Sequence, residues 1–281
     1  MIATLLLLTA FHMPPQKSDA TIGVAAIHLE SGERVSVRGN ERFPMGSVYK
    51  FPIALTLLRR VDVGAISLQR TITIEPKDFA PGWSPLRDGA NGEPITLTVG
   101  ELARHMVANS DNTASDALLR LVGGSFAVST RMAELGFGGI RVDRSETQMA
   151  ADLRKPNGRE NYAIDVRDTT TPEDMAALLF AFWRGRDGLS VEKHEMLLRW
   201  MIETKTGPKR IVSAVPAGSV VAHKTGTMPG TVNDVGIVTS PDGENHYVIA
   251  IFTKASKQEG DEAEEDIAAI TRAILSAMQK R

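Results

Sequence analysis

The order in which strand-like and helix-like patterns occur constrains the fold of this chain most strongly. Runs rich in β-branched and apolar residues, which favour strands, occupy Thr21–His28 and residues 34–38 near the start. Three comparable runs lie near the end, at residues 219–222, 235–239 and 246–253. A single antiparallel sheet that takes strands from both ends of the chain would pair all of these runs.

The middle of the chain has a helical period instead. Apolar residues recur at spacings of three and four over residues 99–122, with a break at 109–112, and again over residues 125–135. A capping threonine and a proline at Thr171-Pro172 predict a further helix start. Residues 261–279 close the chain as an amphipathic helix. By contrast, residues 141–168 show no sustained period, which predicts a long loop that is either functional or disordered.

These patterns together predict an α/β fold: an antiparallel sheet built from both termini with flanking helices, plus an inserted all-helical lobe. We assign residues 1–45 and 205–281 to the α/β lobe and residues 46–204 to the helical lobe. A functional site is expected in the cleft between the two lobes.

Charge and composition exclude several classes of function. The 281 residues include 32 basic and 34 acidic ones, for a net charge of −2, so no basic surface points to a nucleic acid. The chain has no cysteine, and its six histidines are dispersed without the H-E-x-x-H pattern. We therefore expect no metal and no cofactor.

The N-terminus allows two interpretations. Residues 2–11 form an apolar run long enough for the core of a signal peptide and too short to span a bilayer. The run lacks a basic segment before it and a clear cleavage site. A short helix packed on the domain is the alternative, and stable membrane insertion is not expected.

A serine and a lysine three residues apart, Ser47 and Lys50, precede an apolar run that predicts a buried helix. In the first turn of a helix this spacing places both side chains on one face, where free backbone N–H groups favour negative charge. A neutral, buried lysine could take the serine proton and so create a nucleophile. The same pattern recurs at Ser190 and Lys193, where it is interpreted as the cap of a surface helix.

Two further motifs follow in order. Ser110-Asp111-Asn112 lies at the break between two predicted helices, and Lys224-Thr225-Gly226 follows the strand predicted over residues 219–222. A second copy of the latter motif, Lys205-Thr206-Gly207, is interpreted as the end of a helix at Gly207, because Pro208 bars its continuation.

The three motifs in this order match the signature of penicillin-binding proteins and class A β-lactamases. The sequence resembles a class A serine β-lactamase from about Ile22 to the C-terminal helix. Residues 143–146, Asp-Arg-Ser-Glu, resemble the start of that family's omega loop, and residues 168–172, Asp-Thr-Thr-Thr-Pro, resemble its end.

The resemblance implies roles for the residues that react. Ser47 would attack the lactam carbonyl, and the backbone N–H groups of Ser47 and Thr227 would form the oxyanion hole. Lys50 and Glu146, the latter through a water, are rival bases for acylation. Ser110 would pass a proton to the leaving nitrogen while Lys224 keeps the local potential positive.

The resemblance also implies a set of substrate-binding residues. Asn112 would hold the amide of the substrate's side chain. The substrate carboxylate would bind beside the Lys-Thr-Gly motif and a nearby arginine, and an aromatic residue would line the mouth of the cleft. The remaining residues assigned in this way are Trp83, Arg210, Thr225, Gly226 and Thr227. A solvated loop position is the alternative for Arg210, and ordinary core packing is the alternative for Trp83.

The sequence departs from the family at the predicted omega loop. Ala150 stands where family members usually carry the asparagine that helps to hold the hydrolytic water, and Thr147 replaces a common proline. The segment also looks longer than usual, with residues 154–159 as the insertion. Acylation is therefore expected to be normal and deacylation slow, unless Asn161 or another side chain of the insertion replaces the amide. We also expect Arg144 and Asp168 to pair across the ends of the segment.

The resemblance predicts a β-lactam hydrolase that acts through a serine acyl-enzyme, with a small-molecule β-lactam as its partner. Two alternatives stay open: a D,D-peptidase or esterase on the same scaffold, against which Glu146 argues, and a β-lactam-binding module that stays acylated, which Ala150 favours. The resemblance further implies a monomer that is periplasmic or secreted.

Overall fold

The computed structural model describes residues 11–257 and 260–279, and the N-terminal run up to residue 10 lies outside them. Its main sheet has five antiparallel strands in the order β2-β1-β9-β8-β7, so the two strands from the start of the chain lie beside the three from its end, and β1 pairs directly with β9. The strand bounds are β1 Thr21–His28, β2 Arg34–Val37, β3 Phe43–Pro44, β4 Thr71–Ile74, β5 Ile95–Thr98, β6 Thr169–Thr170, β7 Val220–Met228, β8 Thr231–Thr239 and β9 His246–Lys254. The predicted sheet built from both termini is confirmed.

Helices cover both faces of this sheet and fill the middle of the chain. Their bounds are α1 Lys50–Asp62, α2 Pro85–Gly89, α3 Val99–Ala108, α4 Asn112–Leu121, α5 Gly124–Glu134, α6 Glu146–Leu153, α7 Gly158–Ile164, α8 Pro172–Trp183, α9 Val191–Ile202, α10 Ile211–Ala214 and α11 Asp261–Gln279. Among the described residues, no helix combines the length and the apolar character needed to cross a bilayer.

Local capping explains why several of these helices begin where the sequence predicts. Thr171 accepts a hydrogen bond from the Asp174 amide, and Pro172 occupies the first turn of α8. Thr98 and Glu101 form a reciprocal capping box at the start of α3. Ser190 caps α9, which confirms that the second serine–lysine pair belongs to a helix start.

The two faces of the sheet bury two different sets of side chains, because successive residues of a strand point to opposite sides. Val24 and Ile251 pack with α11, whose predicted apolar stripe is fully buried. Ala25 and Ala250 face α8 and the central helices. Within this larger core, Leu55, Leu57 and Leu58 of α1 are at most 1% exposed. Each buried leucine contributes roughly 1.5–3 kcal/mol, so the helix that carries Lys50 is held rigidly.

Three local predictions were wrong. Residues 141–168 contain two short helices, α6 and α7, whose lengths of 8 and 7 residues are too short to establish a period in the sequence. The Lys-Thr-Gly motif lies within β7 rather than after it, because the strand continues to Met228. Gly207 does not end α9, which stops at Ile202.

Candidate active site

Lys50 lies at the centre of a group of polar side chains from the three sequence motifs. Its ammonium nitrogen is 3.0 Å from Ser47 Oγ, 2.7 Å from the Ser110 carbonyl oxygen and 2.6 Å from Asn112 Oδ1. Lys50 is fully buried, whereas Ser47 is partly exposed and therefore open to a ligand. A neutral amine has two N–H groups for the two carbonyl oxygens, and its lone pair would then accept the Ser47 proton.

Glu146 lies on the other side of Lys50. One oxygen, Oε1, is 3.0 Å from Lys50 Nζ but is not aligned to accept a hydrogen bond, and no other described residue donates to it. Glu146 is held by its backbone, since its amide donates to Asp116 Oδ1 at 2.7 Å. Thr147 donates to the other Asp116 oxygen through its amide and its hydroxyl. Asp116 therefore fixes the start of α6, where Glu146 is the first residue.

Ser110 connects the first lysine with the second. Its backbone φ is 57°, in the left-handed region that a serine rarely adopts, and its carbonyl oxygen thereby faces Lys50. Its hydroxyl accepts a hydrogen bond of 2.9 Å from Lys224 Nζ. A strained backbone at a polar, buried position is common where a site has to be preorganised.

Burial lowers the pKa of Lys224 well below its usual range, and the charge of Lys50 lowers it further. The charges of Glu146 and Asp234 oppose this shift. Lys224 consequently gives up a proton more readily than an exposed lysine, and the acceptor nearest to its nitrogen is the Ser110 hydroxyl.

The backbone around Ser47 packs directly against β7. A side-chain carbon at Gly46 would lie 3.2 Å from the Thr227 amide nitrogen, and one at Gly226 would lie 3.2 Å from the Ser47 nitrogen. Only glycine permits this approach, which brings the backbone before Ser47 against the backbone of β7 before Thr227. Asn233 reinforces it by donating to the Pro44 and Met45 carbonyl oxygens at 2.8 and 3.0 Å.

Arg210 lies against the same strand and is only 5% exposed, so it is not a solvated loop residue. Its guanidinium donates to Thr227 Oγ1 at 2.7 Å, to the Asn233 carbonyl oxygen at 2.9 Å and to Glu264 Oε1 at 2.9 Å. The hydroxyls of Thr225 and Thr206 are also hydrogen-bonded to each other. Thr225 and Thr227 thus place two hydroxyls on β7, the edge strand of the sheet, and the second of them contacts the guanidinium of Arg210.

Trp83 lies beside the turn that carries Ser110 and Asn112. Its side chain is 60% exposed, so it is not a core residue. Its indole N–H donates to the Asn109 carbonyl oxygen at 2.8 Å, and its own carbonyl oxygen accepts from the Asn112 amide. The Asn112 side chain also donates to the Pro81 carbonyl oxygen at 2.9 Å. These bonds join the loop that carries Trp83 to the Ser110-Asp111-Asn112 turn.

Residues 141–168 are closed by a network of ion pairs around the buried side chain of Arg144. Arg144 Nε is 2.6 Å from Asp168 Oδ2, which confirms the predicted pair. Arg144 also reaches Asp152 at 2.8 Å and Asp165 at 3.2 Å, and both of those carboxylates bind Arg167 as well. The ends and the interior of the segment are therefore tied to one guanidinium.

Two tyrosines buried near this segment predict a loss of stability in alkali. Burial raises the pKa of Tyr49 well above its usual range and also raises the pKa of Tyr162. The unfolded chain releases both protons near pH 10 while the fold retains them, so the free energy of unfolding should fall as pH rises above about 10. The limiting slope is about 1.4 kcal/mol per pH unit for each tyrosine. Urea unfolding at several alkaline pH values measures this pH dependence of the free energy of unfolding. If Tyr162→Phe showed the same dependence as the unchanged protein, Tyr162 would not contribute to it.

Comparisons with known proteins agree with this geometry. A model of the β-lactamase enzyme family matches residues 8–278. The extended-spectrum β-lactamase PER-1 of Pseudomonas aeruginosa is 33% identical over 260 residues, which are 90% of this chain and 81% of that protein. A β-lactamase structure from Chitinophaga pinensis DSM 2588 is 36% identical, with a TM-score of 0.84 over 93% of this chain and 95% of that one. A variant of an ancestral class A β-lactamase of Gram-negative bacteria is 35% identical, with a TM-score of 0.83 over 92% and 93%.

The chain belongs to the class A serine β-lactamases. The resemblance inferred from the motifs is therefore confirmed, and so is its implication that the protein is a hydrolase that opens β-lactams. Nothing in the comparisons favours a D,D-peptidase or a binding module. The structure brings the predicted site residues of this β-lactamase together around Lys50 and along β7.

Several residues at the site of this β-lactamase were missed in the sequence. Asp116, Thr206, Asn233 and Glu264 each hold a site residue, or its backbone, from a different element. Thr206 belongs to the second Lys-Thr-Gly copy, so the copy that was set aside as a helix end contributes a hydroxyl beside the first. The other three carry no local pattern that distinguishes them from ordinary polar residues.

Proposed function

We propose that Ser47 is the nucleophile of a two-step hydrolysis of β-lactams. The observation that carries this assignment is the contact of Ser47 Oγ with Lys50 Nζ inside a buried site that also holds Glu146. Attack of Ser47 Oγ on the lactam carbonyl carbon forms an ester and breaks the carbon–nitrogen bond of the ring. The serine proton passes to Lys50, or through a water to Glu146.

The negative oxygen that develops during attack is stabilised by the amides of Ser47 and Thr227. Support comes from the close approach of the backbone at Gly46 to that at Gly226, next to both amides. The leaving nitrogen takes its proton from Ser110, which Lys224 replenishes across their hydrogen bond of 2.9 Å. The lowered pKa of Lys224 favours this direction of transfer.

The substrate carboxylate binds the hydroxyls of Thr225 and Thr227 beside Gly226, with Arg210 supplying positive charge. Arg210 is held for this purpose by Glu264 from α11. On the opposite side, Asn112 binds the amide of the substrate's side chain, and the exposed ring of Trp83 covers the mouth of the cleft. This cleft would separate the lobes proposed above, residues 1–45 and 205–281 against residues 46–204.

The second step hydrolyses the ester. Glu146 removes a proton from a water, which attacks the ester carbon and releases Ser47 Oγ. Its oxygen Oε1 is buried and accepts no hydrogen bond from a described residue, so it is able to accept one from that water. We further propose that the protein works as an exported monomer, in the periplasm or outside the cell, without nucleic acid.

Glu146→Gln is expected to accumulate acyl-enzyme. Without a base, deacylation should slow by roughly 10²–10⁴-fold. Intact mass followed over time after mixing with a β-lactam should then show a persistent adduct. The rate at which the adduct appears also separates the rival bases, because it falls only if Glu146 takes the Ser47 proton.

Glu160→Gln is the matched control, because Glu160 is an exposed carboxylate of the same segment. It should turn over the substrate like the unchanged protein. Undiminished turnover in Glu146→Gln, or trapping in Glu160→Gln instead, would refute the proposed role of Glu146.

A further inference from the structure

The loop of residues 80–83, which ends at Trp83, is held through its backbone by two side chains. Its four consecutive carbonyl oxygens accept hydrogen bonds from Arg87 and Asn112 in alternation. Arg87 donates to the first and the third oxygen, each at 2.9 Å. Asn112 donates to the second through its side chain at 2.9 Å and to the fourth, that of Trp83, through its amide at 3.0 Å. Every carbonyl group of this loop is therefore tied either to a site residue or to Arg87.

The short helix α2 places Arg87 where it can reach back to this loop. Asp111, which precedes Asn112, is fully buried. Its carboxylate accepts from Ser84 Oγ at 3.1 Å and from the Leu86 amide at 2.8 Å, at the start of α2. The helix that carries Arg87 is thus fixed to the same turn that carries Asn112, and the loop lies between two contacts to one rigid element.

A guanidinium suits this double contact. Its planar fork holds several N–H groups in fixed directions, so one side chain serves two carbonyl oxygens at once. Here Nη1 donates to Ala80 and Nη2 donates to Gly82. Arg87 also pairs with Asp88, but the Asp88 side chain is 59% exposed, and an ion pair of this kind contributes little. The two carbonyl contacts, rather than the ion pair, account for an arginine at this position.

The place of this loop matters for the substrate because Trp83 lies next to the proposed site for the substrate's side chain. The Trp83 carbonyl oxygen is bonded to the Asn112 amide, and the indole N–H donates to the Asn109 carbonyl oxygen at 2.8 Å. The N–H is the only polar group of an indole, so the exposed part of the ring offers a ligand apolar surface. An aromatic group in the side chain of a β-lactam is the chemistry that such a surface binds.

We propose that Arg87 is a positioning residue that fixes Trp83 beside Asn112 and thereby favours β-lactams with an aromatic side chain. Arg87 acts through the backbone of residues 80–83 and not by contact with the substrate. Without Arg87, two carbonyl oxygens of the loop would be left to water, and the substrate would have to order the loop on binding, at a cost in affinity. The inference rests on the proposed binding roles of Trp83 and Asn112.

Arg87→Ala tests the proposal with two substrates. One is benzylpenicillin, whose side chain ends in a phenyl ring, and the other is the aminopenicillanic acid that remains when this side chain is removed. The KM for benzylpenicillin should rise about threefold to tenfold, the range for loss of one aromatic contact. The kcat should stay nearly the same, because the wall holds the side chain alike before and during the reaction. The KM for aminopenicillanic acid should not change.

Asp88→Asn is the matched control, because it removes the charge that pairs with Arg87 and leaves both carbonyl contacts in place. It should keep the KM for both substrates. Arg87→Lys should show a smaller rise for benzylpenicillin than Arg87→Ala, since a single ammonium group does not reproduce the fork. A double-mutant cycle with Trp83→Ala gives the coupling: once the ring is absent, Arg87→Ala should have little further effect on the KM for benzylpenicillin.

Several results would overturn the proposal. They are an unchanged KM for benzylpenicillin in Arg87→Ala, an equal rise for both substrates, the same rise in Asp88→Asn, and full additivity with Trp83→Ala. If Arg87→Ala does not fold, Arg87→Lys decides by the same comparison of substrates, and failure of both variants to fold would assign a structural role instead. If Trp83→Ala itself leaves the KM for benzylpenicillin unchanged, the proposed role of Trp83 fails first, and that result is distinguishable from a failure of Arg87 alone.

Discussion

Ser47→Ala is expected to form no covalent adduct with any β-lactam and to lose turnover. The loss should be on the order of 10⁶-fold, the size of the effect when another serine hydrolase loses its nucleophile. The reason is that, among the described residues, no other hydroxyl is hydrogen-bonded to Lys50 Nζ, and the hydroxyl of nearby Ser110 accepts from Lys224 instead. Intact mass and initial rates measure both quantities on one preparation.

Ser190→Ala is the matched control, because Ser190 belongs to the second serine–lysine pair. Its hydroxyl donates to Asp62 at 2.6 Å and caps α9, and Lys193 pairs with Glu192. Loss of this cap should cost about 0.5–2 kcal/mol of stability and leave adduct formation intact. An adduct that persists in Ser47→Ala, or disappears in Ser190→Ala, would reverse the assignment of the nucleophile.

Arg144→Ala is expected to lower the free energy of unfolding by about 3–5 kcal/mol. Arg144 and Asp168 are 5% and 1% exposed, and they are joined by a bond of 2.6 Å. Burial already raises the pKa of Asp168, so loss of its cation leaves a carboxylate that is costly to keep charged. Urea unfolding gives the change in stability, and deacylation should slow as well, because the same network holds α6 and Glu146.

Arg104→Ala provides the comparison with an exposed ion pair. Arg104 and Glu203 form a short contact, but their side chains are 58% and 38% exposed. Removing this ion pair should therefore lower the free energy of unfolding by at most about 1 kcal/mol. Equal costs for Arg104→Ala and Arg144→Ala would mean that burial does not set the strength of the pair. The Arg144→Ala prediction would then be wrong.

The helix and strand starts were predictable wherever a local signal specifies them. Thr171-Pro172 and the apolar, β-branched run of β1 fix their elements through capping and composition, which involve only neighbours in sequence. Residues 141–168 were not predicted in this way, although α6 begins with a local signal, the capping box of Ser145 and Gln148. The contacts that join its two short helices are long-range, since the partners of Arg144 lie 8, 21 and 24 positions away in the chain.

The sequence by itself determined the sheet built from both termini, the three motifs and the nucleophile proposed from them, because these depend on period, capping and the order of short patterns. Only the tertiary structure decided which distant groups meet. Lys50 contacts Asn112 across 62 positions, Glu146 is held by Asp116, and Arg210 is fixed by Glu264. The Tyr162 hydroxyl is buried without a hydrogen-bond partner among the described residues, which no neighbour in the sequence indicates. A local pattern specifies how a segment folds, whereas packing between segments determines which polar groups lose water and which partners replace it.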